Sequence, residues 1–106
     1  MKLYYLVRKD LPWAHRATQL IHARETFAQA FYEREVRTAV VHVVKDEAAL
    51  RAVLTSLHPD TEWSRGSPQV SVTDGTKRTS AFFEPDLGYE LTAACTDGGP
   101  FKLPLL

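Results

Sequence analysis

A single cysteine, Cys95, stands in 106 residues. It excludes an internal disulfide framework and reads as a small buried residue of a strand. Excess charge is also missing, because 13 Lys and Arg balance 13 Asp and Glu. A neutral chain lacks the broad basic footprint of a general nucleic-acid binder. A local basic patch remains open, since Arg8, Lys9, Arg16 and Arg24 lie close together. No apolar run approaches the ~20 residues that a membrane helix needs. The first residues read directly into a strand and show no secretory pattern. A soluble, cytoplasmic protein with no membrane partner is the expectation. Metal-ligand spacing is absent too. His15, His22 and Asp86 come nearest to it, and an i, i+7 pair of histidines is too wide for two ligands on one helix. Neither a metal nor a cofactor is expected.

What is present is an alternation of strand and helix signals. Residues 2–7 are short, apolar and aromatic, as in a buried central strand. Pro12 precedes a helical pattern at about 14–32, in which Ala17, Leu20, Ile21, Phe27, Ala28 and Phe31 recur on one predicted face. His15, Gln19, His22 and Thr26 fall on the opposite one, and Arg24 interrupts the apolar face. Residues 37–44 are β-branched and continuous, which predicts a second strand. Asp46 is placed to cap a second helix carrying Leu50, Val53, Leu54 and Leu57, and Pro59 ends it.

Residues 60–79 are polar and turn-rich. Asp74-Gly75 between two alternating stretches resembles a hairpin, and a flexible excursion is the other reading. Strands are expected at 80–84 and 91–96, with an apolar tail at 101–106. The order β-α-β-α-β-β predicts one α/β domain over 1–106, of two or three layers. Its sheet would be mixed but mostly parallel, with about four strands, flanking helices and a variable excursion at 60–79. The tail and a free sheet edge suggest a homodimer.

Chemistry-bearing residues gather where the first strand hands over to the first helix, a usual place for a site in an open α/β sheet. Arg8, Lys9 and Asp10 end the strand, and His15 and Gln19 open the helix. Downstream, Glu84-Pro85-Asp86-Leu87-Gly88 offers an acidic glycine turn that could face the same place.

Two stretches, Arg8-Lys9-Asp10-Leu11 and Ala17-Thr18-Gln19-Leu20-Ile21-His22-Ala23, resemble the type 2 peptidyl-tRNA hydrolase family. That family has an Arg-x-Asp-Leu turn, a Gly-Lys helix start and Ala-Ala-Gln-x-x-His-Ala. Its later Asp-x-Gly turn is similar to Asp86-Leu87-Gly88, and its Gly-Pro to Gly99-Pro100. The resemblance implies hydrolysis of the ester that joins a peptide to the terminal ribose of a tRNA. His15 stands where the family has its Lys, and Glu90 where it has a Thr.

Such a reaction needs a positioned water, a donor for the developing oxyanion and cations for phosphate. The resemblance makes His15, Gln19, Asp86 and Glu90 the catalytic candidates. Asp86 would orient or deprotonate water, Gln19 would donate to the carbonyl, and His15 would act as base or donor. Arg8, Lys9, Trp13, Arg16, His22 and Gly88 are the substrate-binding candidates, with Trp13 a stacking surface for a base. The alternative is a non-enzymatic binding module of the same fold, having lost the family's Lys and Thr.

Overall fold

A computed structural model describes residues 2–33, 35, 38–64 and 66–106. Strand β1 (Lys2–Arg8) leads to helix α1 (Trp13–Phe31), β2 (Thr38–Val44) and α2 (Glu47–Leu57). Then follow β3 (Gln69–Asp74), β4 (Lys77–Glu84), a 3-10 turn (Pro85–Leu87) and β5 (Glu90–Thr96). Arg37, expected to open β2, lies outside the described residues.

The sheet has five strands in the order β2-β1-β5-β4-β3. Among the described residues only β1 and β2 run parallel; β5 pairs antiparallel with β1 and with β4, and β4 with β3. This corrects the expected four-stranded, mostly parallel sheet. A parallel neighbour needs a long crossover, and α1 supplies the one that joins β1 to β2. After α2 the connections shorten. Asp74 pairs with Lys77 across a tight turn in which Gly75 takes a positive φ of 62°. A short 3-10 turn then joins β4 to β5. Residues 69–79 are thus hairpin, and the segment before it carries Trp63 into the core.

The two helices cover opposite faces of the sheet. On one face Leu50 and Leu54 of α2 join Leu6, Phe83, Leu91 and Trp63. Asp46 caps that helix by accepting from the Ala49 amide at 2.9 Å, as its position predicted. On the other face Ala23 and Phe27 of α1 pack on Leu3, Tyr5, Val7, Ala93 and Cys95. Burial pushes the Cys95 thiol up to about 12, so at neutral pH it is an inert core group.

Helix α1 is rotated from the face that its hydropathy predicts. Gln19, Ala23, Thr26 and Phe27 are buried, whereas Ile21 is 58% exposed. The polar side chains can be buried because each finds a partner. Thr26 donates to the His22 carbonyl at 2.8 Å, and Gln19 is held by two residues more than sixty positions away. The small Ala23 lets the helix close on the sheet. The apolar tail lies along the outer edge of β2, where the Val43 amide donates to Pro104 and the Leu106 amide to Val41.

Candidate active site

The start of α1 meets the turn between β4 and β5 in a cleft of about 300 Å³ lined by His15, Thr18, Gln19, Glu84, Asp86 and Leu87. That volume is at the lower end of the range for small-ligand pockets. Three of the four catalytic candidates therefore meet, although 67 residues separate Gln19 from Asp86. Two short devices place them. Pro12, extended at ψ 148°, ends the loop and lets α1 begin at Trp13, so His15 and Gln19 rise one turn apart. Glu84 caps the 3-10 turn by accepting from the Asp86 amide at 3.2 Å, and Gly88 closes it in the left-handed region.

Gln19 is the best-held member. Its amide nitrogen donates to the Glu84 carboxylate at 3.0 Å, and its amide oxygen accepts from the Thr92 hydroxyl at 2.8 Å. Thr92 reaches α1 because the sheet is irregular there. Phe82 pairs with Ala93 and Phe83 with Leu91, which leaves Thr92 as the extra residue of a β-bulge. Next to it, His22 stacks on Phe82 with ring centroids 4.5 Å apart.

Glu90 does not line the cleft. Its carboxylate accepts from Arg8 at 2.8 Å, while Asp10 accepts from two other guanidinium nitrogens of Arg8, each at 2.9 Å. The bond to Asp10 is the main cause that raises the Arg8 pKa, against the penalty of burial, and Glu90 adds to it. Reciprocally, Arg8 holds the Asp10 carboxyl below the usual carboxylate range. Arg8 is 8% exposed, so its charge is spent inside the protein.

Arg16, half-buried, donates to the carbonyls of Leu11 at 2.7 Å and Lys9 at 2.9 Å. It lies over the ring of Trp13, which is 62% exposed. Lys9 is exposed and, with Lys45, lines a separate groove beside Ala49 and Val53 of α2. Among the described residues no group of three or more His, Cys, Asp or Glu is arranged to hold a metal ion. No helix described is long and apolar enough to cross a membrane.

Glu84, Thr18 and Thr92 belong to this region; Glu84 was named only as part of the acidic turn, and none of the three was given a role from the sequence. Thr18 had a signal, since it stands one turn after Ala14 and four residues before His22 on the helix that carries the motif. Glu84 had a fainter one, an acid directly before Pro-Asp-x-Gly, where a turn needs a cap. Thr92 had none, because a bulge is invisible without the partner strand. No protein-family model and no curated protein matches the chain.

Proposed function

We propose that this chain is a cytoplasmic hydrolase of the ester between a peptide and a tRNA, a divergent relative of the type 2 peptidyl-tRNA hydrolases. The observation that carries the reading is the convergence of His15, Gln19 and Asp86 on one cleft. In the proposed reaction Asp86, or His15 beside it, accepts a proton from water as its oxygen attacks the ester carbonyl carbon. Gln19 donates to the oxyanion that forms. The bond from that carbon to the ribose oxygen then breaks. The peptide leaves with a free carboxyl group, and the ribose oxygen takes up the proton.

The cations for the tRNA phosphates are Lys9, Arg16 and Lys45, because Arg8 is engaged with two carboxylates. Trp13, exposed beside His15, offers a face on which a terminal base stacks. A second copy of the chain is the proposed partner of Leu105 and Leu106, which are 67% and 47% exposed on the outer edge of β2.

Release of labelled peptide from peptidyl-tRNA by the purified protein tests the proposal. Micromolar protein should release peptide, and Asp86→Asn should not. No release by the unaltered protein would end the hydrolase reading.

One observation favours a second reading, a binding module without catalysis. Arg8 is turned inward between two carboxylates, and the cleft is lined by Glu84 and Asp86 with neither lysine nor arginine among the described residues that line it. Such a rim repels phosphate. Under that reading His15→Ala, Gln19→Ala and Asp86→Ala leave the biological activity of the folded protein unchanged.

A further inference from the structure

We infer that Glu84 is a positioning residue which, with Thr92, aims the Gln19 amide into the cleft and sets its distance from Asp86; this rests on the hydrolase reading of that cleft. The first step is the orientation of the amide. An ionised carboxylate only accepts, so the Gln19 group facing Glu84 is the NH2. The oxygen then faces the Thr92 hydroxyl, whose proton has Gln19 at 2.8 Å as its nearer acceptor and the Phe82 carbonyl at 3.3 Å as the farther one. The opposite orientation would set the amide oxygen against a carboxylate. The neighbours therefore fix which end is which.

The second step concerns the protons. Gln19 is 4% exposed, and one of its two N–H groups is used by Glu84. The other remains on a side chain that lines the cleft. A buried donor is costly without an acceptor. The oxyanion formed from an ester carbonyl is an acceptor of the required kind, and it exists only as the reaction proceeds.

The third step is the second oxygen of Glu84. It accepts from the backbone amide of Asp86 at 3.2 Å. One carboxylate thus holds the donor on α1 and the turn that carries the acid. Losing it would loosen both at once, while leaving the donor and the acid themselves in place. Thr92 completes the clamp from β5, on the bulge that turns its hydroxyl toward α1.

The test pairs kinetics with the side-chain amide signals of Gln19 in 15N-labelled protein. Glu84→Gln keeps the size of the side chain and replaces an acceptor-only group by one that accepts and donates. It should lower kcat by about 10- to 100-fold, below the ~10²–10³ of a deleted oxyanion donor, with KM within about twofold. The two Gln19 amide proton signals, well separated when one proton is bound to a carboxylate, should draw together. Thr92→Val, close in shape, should shift the same signals and lower kcat in the same direction. An active wild type with kcat unchanged in both variants would overturn the role of Glu84 and leave the hydrolase reading standing. A wild type that releases no peptide would remove both together.

Discussion

Two buried polar networks lie on opposite faces of the sheet, and they differ in where they end. On the α1 face, Thr92, Gln19 and Glu84 run from the bulge of β5 to a cleft. On the α2 face, the His58 Nε2 atom lies 2.6 Å from the Thr79 hydroxyl, which lies 2.7 Å from that of Thr96. Thr96 donates to the Arg78 carbonyl at 3.0 Å, so Thr79 donates to Thr96 and His58 donates to Thr79. That assigns the proton to Nε2 and leaves Nδ1, which has no hydrogen-bond partner among the described residues, 3.9 Å from the Asp74 carboxylate. His58, Thr79 and Thr96 are 1%, 0% and 0% exposed. The same chemistry, a threonine hydroxyl orienting a side chain, therefore serves two ends. The closed network is sealed among buried side chains, while the open one ends on side chains that line the cleft.

Removing the acid in the cleft where the open network ends should have the largest effect. Asp86→Asn is expected to lower ester hydrolysis by about 10²- to 10⁴-fold, the usual contribution of a general base. Its melting temperature should stay within a few degrees of wild type, because Asp86 is exposed. Paired initial-rate and melting measurements check both halves.

Breaking the closed network should do the reverse. His58→Ala removes a buried ring and leaves the Thr79 hydroxyl without its donor. We expect a loss of about 2–4 kcal/mol in denaturant unfolding, with kcat per folded molecule unchanged. A loss below about 1 kcal/mol would show that the His58–Thr79 contact matters little.

The closed network should also respond to pH. Burial lowers the His58 pKa below its ordinary value. The unfolded chain then binds the proton first as pH falls. Stability should decline below about 6.5, the value of a free imidazole, until the folded imidazole itself takes the proton. Comparing denaturant midpoints at pH 5 and pH 7.5 in wild type and in His58→Gln isolates this part, and the variant should show the smaller change.

The smallest effect belongs to the rim. The Glu90 side chain is 39% exposed, and Arg8 keeps Asp10 when Glu90 is lost. Glu90→Gln should cost less than about 1 kcal/mol in the same unfolding experiment. A larger loss would make the Arg8 cluster part of the fold's foundation rather than its edge.

Much of the molecule was legible in the sequence where signals are local. Asp46 and the leucines of α2 gave that helix its start and its buried face. Asp74-Gly75 announced the hairpin as one of two readings. His15, Gln19 and Asp86 were named before they were seen to share a cleft. What escaped depends on partners distant in the chain. The burial of Gln19 and Thr26 rotates α1 away from its hydropathy stripe, and half of that explanation sits on Glu84 and Thr92. The direction of β3, β4 and β5 follows from short turns, which a β-α-β-α beginning conceals. Glu90 looked like a site residue by motif position, yet Arg8, a residue at the other end of the chain, claims its carboxylate.

The central claim is that the open network is a working hydrolytic site. Its most direct test is single-turnover release of a labelled peptide from peptidyl-tRNA, comparing wild type, Asp86→Asn and His58→Ala at a temperature where all three are folded. The account predicts release by wild type and His58→Ala at similar rates, and none above background by Asp86→Asn. Equal rates for wild type and Asp86→Asn, or no release by any of the three, would contradict it.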